Sequence, residues 1–429
     1  MLLRTLALFP LLALLYFSQR HWAVRVWRLT GRVSHPAGRV LIRAFLVIVW
    51  GSLVMMGAAW LLRILPQSLR SSAWVGVAGL WLSSALFAWI AVKCVHGVEW
   101  LWNRRTRRKQ SVEADPQIAP ESAHAPSNPS RRYFFQTAGY FAGAVPFVGA
   151  LYGFAVERLH FRVERVEVPI AGLSPELDGL RIVQLSDIHM GGYFPGDQLR
   201  RAVAMANELG AELAVVTGDF ISWRGDPIVG CVEGLAALRA PLGVWGCNGN
   251  HETYAGYQEL AAWLFQQAGM RMLRLQNSEL SWRGAKFNLL GVDHQTTRGF
   301  NPRRWRMLEG VEPLLRPGMP NILLSHSPNA FYRAAELGVD LTISGHTHGG
   351  QIQVEIIDPH LNPARFMTRF TAGLYSRPAG VPLTTESNSM DAPGNRVAHL
   401  YVNRGLGTIA TPIRIGSSPE ITLLTLRRV

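Results

Sequence analysis

Asp187, His189, Asp219, Asn250, His326, His346 and His348 are the residues whose types and spacing could do chemistry. They fall in five short motifs: Asp187-Ile188-His189, Gly218-Asp219, Gly249-Asn250-His251-Glu252, Ser325-His326-Ser327 and Gly345-His346-Thr347-His348-Gly349-Gly350. Carboxylate and amide oxygens with imidazole nitrogens form a mixed donor set that suits Mn, Fe or Zn better than Ca or Mg. Two such cations about 3.5–4 Å apart can clamp the attacking and leaving oxygens of an in-line displacement at phosphorus and acidify a water between them. Asp219, followed by a turn, is well placed to bridge two ions. Asp187 with His189, and His346 with His348, are each two residues apart, which on an extended strand end points both side chains the same way. A structural zinc site is disfavoured, because such sites are closed and usually Cys-rich.

These donors must be positioned by regular elements. Each motif follows a short apolar run: Leu180–Leu185, Leu213–Thr217, Gly243–Gly246, Asn321–Leu324 and Leu341–Ile343. Runs of that length, rich in Val, Ile and Leu and bounded by Gly, predict buried strands. Five strands ending in ligands place them along one edge of a sheet, where open α/β sheets bind their ligands. A lone Asp or His at a strand end is ordinarily a turn residue; seven in register are not explained that way. Helical patterns fit Pro195–Leu209, Pro227–Leu238, Tyr257–Ala268 and Asn329–Leu337 between the strands. Residues 160–169 alternate and predict an edge strand, and Glu420–Leu426 predicts another.

The five motifs together resemble the calcineurin-like metallophosphoesterase family, specifically membrane-anchored bacterial-type phosphodiesterases with a GHTHGGQ motif. The resemblance covers residues 180–350 and, more weakly, Leu400–Leu426. It implies an α/β/β/α sandwich of two mixed sheets that hydrolyses a phosphoester with two divalent ions. By that resemblance Asp187, His189 and His348 hold one metal, Asn250, His326 and His346 the other, and Asp219 bridges. His251 matches the family's catalytic histidine, which contacts the scissile phosphate and helps protonate the leaving oxygen. Glu252 replaces the commoner Asp of that motif and is expected to orient His251.

The N-terminal third reads as a multi-span α-helical membrane region. Ala44–Leu62, Ser71–Val92 and Tyr133–Val156 are uncharged and near the ~20 residues a span needs. Thr5–Gln19 is shorter, contains Pro10, and is either a tilted span, an interfacial segment or a signal-anchor. The expected organisation is a membrane region over 1–110, a Pro- and Ser-rich cytoplasmic linker over 111–130, a fourth membrane segment over 131–157, and the metallophosphoesterase domain over 158–429. Arg131-Arg132 opens the fourth segment as either a twin-arginine export signal or two ordinary flanking charges.

Net charge is +14, but residues 1–156 hold 17 Lys and Arg against 4 acidic residues, while 157–429 hold 26 against 25. The excess follows positive-inside asymmetry and puts the domain on the extracytoplasmic side of a cytoplasmic membrane. A domain so nearly neutral lacks the basic surface that nucleic-acid binding requires. Its expected partner is a phosphoester substrate, with a lipid-linked one preferred because the domain is tethered at the bilayer.

Other features are weaker. Cys94, Cys231 and Cys247 give no disulfide framework. Trp223, Arg224, Tyr254 and Tyr257 either line a substrate groove or pack at a rim, and Asp293-His294 either approaches the site or makes a turn. Arg298, Arg303, Arg304 and Arg306 form a basic run, by default solvated, and Gly380–Asn395 reads as a surface loop. The rival reading is a membrane sensor or scaffold whose metal-binding domain is non-catalytic. His251 speaks against it, since a non-catalytic descendant has no physical need of it.

Overall fold

The computed structural model describes residues 2–61, 73–113, 129–295, 307–353, 362–366, 368–380, 396–409 and 411–429. The chain divides into two compact units, with a sequence boundary between Tyr152 and Gly153. The basic run at 298–306, the Gly380–Asn395 loop (after Gly380) and most of the 111–130 linker lie outside the described residues.

The first unit is helical: α1 Leu2–Thr30, α2 Pro36–Leu61, α3 Ala73–Glu113 and most of α4, Pro129–Ala155. Among the described residues, Pro36–Leu53, Ala78–Thr106 and Pro129–Leu159 are long and apolar enough to cross a membrane. Thr5–Gln19 does not stand alone, because α1 continues past it to Thr30. Side chains of α1, α3 and α4 pack together. The Trp22 indole donates to the Ala85 carbonyl (2.8 Å), that of Trp81 donates to the Gln19 side chain (3.0 Å), and Phe147 meets both indoles. At 41 residues, α3 is roughly 60 Å long, about twice the hydrocarbon thickness. Ser111–Glu113, expected to open the linker, continue this helix because no breaker precedes Pro116.

The second unit holds two six-stranded sheets. The first contains β1 Arg162–Ile170, β2 Arg181–Leu185, β3 Leu213–Val216, β4 Val244–Gly246, β5 Arg271–Met272 and β12 Glu420–Arg428, in the order β1-β12-β2-β3-β4-β5. The second contains β6 Gln276–Trp282, β7 Ala285–Gly291, β8 Asn321–Leu324, β9 Leu341–Ser344, β10 Gly373–Pro378 and β11 Val397–Val402, in the order β10-β11-β9-β8-β7-β6. Both are mixed; β2, β3, β4 and β5 run parallel, as do β7, β8, β9 and β11. The strand over 160–169 is indeed at an edge, whereas the one over Glu420–Leu426 is interior, because β12 pairs with β1 on one side and β2 on the other. The five motif strands, however, do not share one sheet. β2, β3 and β4 belong to the first and β8 and β9 to the second, because apolar runs specify burial but not pairing partners.

Alternation along β2 shows how the layers form. Ile182 points into the core between the sheets, with Leu213, Phe287, Ile322 and Leu341, while Val183 and Leu185 point outward. The outward residues pack on Leu199 and Val203 of α5 (Gly196–Glu208), Cys231 and Leu235 of α6 (Ile228–Leu235) and Phe265 of α8 (Gln258–Gln267). Helix α9 (Phe331–Glu336) covers the other outer face through Phe331 and Ala334. All three cysteines are free, and Cys231 and Cys247 are buried. Among the polar residues that interrupt the inner core, Gln184 donates to Thr217 Oγ1 (2.8 Å) and to the Ser344 carbonyl (2.9 Å), tying the sheets together beneath the site.

Candidate active site

Each motif begins where its strand stops. Asp187, His189, Asp219, His346 and His348 have φ of 50°, 48°, 55°, 75° and 52°. That left-handed region costs a residue with a Cβ roughly 1–2 kcal/mol, so neighbouring structure must enforce it. Asp187 and His189 come to the same side through alternate left-handed residues, not through the pleat of a strand. A backbone ladder holds them there: Asp187 N–H donates to Gly218 O, His189 N–H to Asp219 O, and Gly407 N–H to Asp187 O, at 3.1, 3.0 and 2.7 Å. The glycines of the motifs permit close approach. A Cβ on Gly249 would overlap the Asp219 carboxylate, and one on Gly345 would overlap Ser186 Oγ and Asp187 Oδ2.

All seven expected donors and His251 converge. Asp187, His189 and His348 form one group with donor atoms within 4.8 Å of one another, and Asp219, His326 and His346 form another; His189, Asp219 and His251 make a third that joins them. His189 Nε2 lies 3.0 Å from His348 Nε2, which is 3.4 Å from Asp187 Oδ1. His326 Nε2 lies 3.0 Å from Asp219 Oδ2, 3.1 Å from Asn250 Oδ1 and 3.2 Å from His346 Nδ1. Its other nitrogen, 2.6 Å from the Thr217 carbonyl, must donate there. A neutral His326 therefore has no proton on Nε2, and a charged one has a single proton for three acceptors. A cation at the shared point satisfies all of them. Two donors bound at about 2.0–2.1 Å are separated by roughly 2.9–3.4 Å at octahedral or tetrahedral angles, which matches both nitrogen–nitrogen spacings.

Comparison with known proteins agrees with this geometry. The profile of the calcineurin-like phosphoesterase family matches residues 180–350. The metallophosphoesterase YkuE of Bacillus subtilis is 32% identical over 307 residues, spanning 70% of this chain and 98% of its own length. The chain belongs to the calcineurin-like phosphoesterase family. A transmembrane protein with a metallophosphoesterase domain from Danio rerio is 28% identical over 440 residues, covering 95% of this chain and 85% of its own. The UDP-2,3-diacylglucosamine pyrophosphatase LpxG of Chlamydia trachomatis is 25% identical over 311 residues, covering 61% of this chain and 88% of its own. This metallophosphoesterase is accordingly a metal-dependent hydrolase of phosphoester bonds, and its apolar helices associate it with a membrane.

Metal binding needs neutral imidazoles and ionised carboxylates; three of the four histidines and Asp219 are set that way, whereas His326 and Asp187 are shifted the other way and would have to release protons to a metal. Burial lowers His189 and His346 to about 3 and takes His348 well below its ordinary range. Burial would also lower His326, but the Asp219 and Asp187 carboxylates outweigh it and raise that group to about 10. Burial works to raise Asp219, yet His326 beside it holds the carboxyl well below its usual value. Asp187 is pushed up to about 6 by burial, with Asp219 adding to the rise.

Several supporting residues carried no sequence signal. Glu252 does not orient His251. Its carboxylate accepts the backbone N–H groups of Gly249 (2.8 Å), Asp219 and Phe220 (2.9 Å each), capping α7 (Asn250–Ala255) and fixing the Asp219 turn. Ser222 takes the orienting role: its carbonyl is 2.5 Å from His251 Nδ1 and its hydroxyl 3.0 Å from His189 Nδ1. Arg414 is fully buried, and among the described residues its guanidinium donates to main-chain carbonyls alone, those of Arg404, Gly405, Gly407 and Ser417. It thereby stiffens the loop behind Asp187. Trp223 and Tyr254 are exposed and flank the His251 ring at 6.1 and 5.7 Å, whereas Tyr257 packs into the helix-side core. The Asp293-His294 pair splits. Asp293 pairs with Arg274, while the His294 ring sits 6.0 Å from that of His346.

Proposed function

We propose that this metallophosphoesterase uses two divalent cations, Mn, Fe or Zn, and faces outward from a cytoplasmic membrane that its N-terminal helices cross several times. Asp187, His189 and His348 would hold one ion, and Asn250, His326 and His346 the other. The carrying observation is Asp219, whose Oδ2 is 3.0 Å from His326 Nε2 and 3.6 Å from His189 Nε2, within reach of both groups. When bound, the ions supply Lewis-acid charge for the phosphoryl oxygens and an acidified water.

The protein's own residues do the rest. Asp219 accepts the His251 backbone N–H at 2.9 Å, which fixes the start of α7 beside the ions' positions. His251 Nδ1 must donate to the Ser222 carbonyl, so Nε2 is the nitrogen left to serve the leaving oxygen, and it holds a proton to give only in the doubly protonated ring. Buried carboxylates and imidazoles that need little reorganisation are what electrostatic stabilisation of a developing charge requires.

The substrate is a phosphodiester, pyrophosphate or monoester, with a lipid-linked one preferred. Apolar helices immediately before the domain support this, since tethering raises the effective concentration of headgroups; so does the similarity to LpxG, a UDP-2,3-diacylglucosamine pyrophosphatase. Basic residues around 20–43 and 104–132 support the outward orientation. Purified full-length protein reloaded with Mn²⁺ should hydrolyse bis-p-nitrophenyl phosphate, and Asp219→Asn or His251→Ala should abolish it. Absence of turnover sensitive to those variants rejects the enzyme mechanism. A phosphatase reporter fused after Val429 that is active only in the cytoplasm rejects the orientation.

A further inference from the structure

We propose that Asp226 is a positioning residue for His251, acting through the turn that carries Ser222 and Trp223. This deepens the phosphoesterase reading and rests on it. Asp226 is 7% exposed, and its Oδ2 alone accepts two backbone donors, Ser222 N–H at 3.0 Å and Trp223 N–H at 2.8 Å. Its own N–H returns to the Trp223 carbonyl at 3.1 Å, and its carbonyl accepts the Ile228 N–H at the start of α6. The carboxylate thus ties an exposed turn, with Gly225 at φ 98°, to a fixed helix end.

What the turn presents is the site. Phe220 and Ile221 are fully buried before it, so the first residue free to move is Ser222. Ser222 touches both His189 and His251, through its hydroxyl and its carbonyl. Trp223, next in the turn, faces the edge of the His251 ring. Losing the carboxylate would leave two amides without their acceptor and let the Ser222 carbonyl drift from His251 Nδ1. A proton donor misplaced by about 1 Å can cost on the order of 100-fold.

The test separates positioning from general stability by the leaving group. p-Nitrophenolate departs with little help, whereas an alkoxide needs a proton. In full-length Mn²⁺-loaded protein, Asp226→Ala should lower kcat on an alkyl phosphodiester roughly 10–100-fold and on bis-p-nitrophenyl phosphate far less. Asp226→Asn keeps one oxygen able to accept both amides and should stay close to wild type. The double variant Asp226→Ala/His251→Ala should be no slower than His251→Ala alone. Equal losses on both substrates, or an additive double variant, would overturn the proposal, as would an Asn variant as impaired as Ala. A second readout needs no turnover: in ¹⁵N-histidine-labelled, Zn²⁺-loaded protein, the downfield Nδ1–H proton that His251→Ala removes should vanish in Asp226→Ala and persist in Asp226→Asn. Its persistence in Asp226→Ala overturns the proposal. A wild-type protein without turnover overturns the phosphoesterase reading instead, and the imidazole proton then decides the positioning.

Discussion

Replacing Glu252 by Gln tests whether a single buried carboxylate holds the Asp219 turn. Oε2 accepts from both Asp219 and Gly249, and Oε1 from Phe220. Gln is isosteric but has one oxygen. With that oxygen on the doubly bonded side, its amide NH₂ faces the Phe220 N–H, leaving one buried donor unsatisfied. Such a loss costs about 1–3 kcal/mol. Glu252→Ala removes all three acceptors, and even with water partly replacing them the loss should be roughly twice to three times as large. For a domain of this size about 1 kcal/mol moves the melting temperature by roughly 2–4 °C. Calorimetry of chelator-treated full-length protein should therefore show the transition of the second unit falling by several degrees for Gln and by considerably more for Ala. Both substitutions also release the left-handed Asp219, so bound metal, measured after dialysis in buffered Zn²⁺, should fall in the same order. A Gln variant that melts with wild type refutes the buttress, and so does a Gln variant as unstable as Ala.

Three further outcomes follow from the same geometry. Arg414→Met should destabilise the second unit by about 2 kcal/mol or more, because several buried carbonyls lose their donors, and Arg414→Lys should not restore it, since one ammonium cannot span Arg404, Gly407 and Ser417; thermal melts of the three proteins decide. Gly345→Ala should cost metal at the Asp187–His189–His348 group first, so metal per chain measured by elemental analysis should fall toward half while the fold, followed by circular dichroism, persists. Stripping metal with a chelator should lower the melting temperature and restoring Mn²⁺ or Zn²⁺ should raise it, with free ion at 100 times Kd contributing about 2.7 kcal/mol per site; an unchanged melt would mean that the clustered histidines do not bind the ion.

The sequence carried the chemistry further than it carried the architecture. Apolar runs before Asp187, Asp219, Asn250, His326 and His346 were readable because each strand is buried, apart from Arg181 at the start of β2, and β8 runs over Asn321–Leu324 as expected. A strand as short as β5, two residues long, is beyond what periodicity can report. Assigning the motif strands to two sheets needed pairing information that burial patterns lack. The left-handed turns were equally hidden, because the ladder that enforces them joins Asp187 to Gly218 and Gly407, far away in sequence. Glu252 was misread for a geometric reason: its carboxylate turns back onto the Gly249, Asp219 and Phe220 amides, while Ser222 reaches His251 from the other side. Arg414 lies in a short run (Pro412-Ile413-Arg414-Ile415-Gly416) that gives no sign of a fully buried cation bound to carbonyls.

The partition of the donors between two sheets bears on how the chain matures. His189 and His348 meet across 159 residues, and the Asp187–His189–His348 and Asp219–His326–His346 groups each draw donors from both sheets. The first sheet itself is completed last, because β12, made at the end of the chain, lies between β1 and β2; a nascent chain with only β2 to β5 has Asp187, His189, Asp219 and Asn250 but none of the later histidines. Long-range closures of this kind come late and slowly. An ion held in either of those groups would therefore report that both sheets have been made and joined.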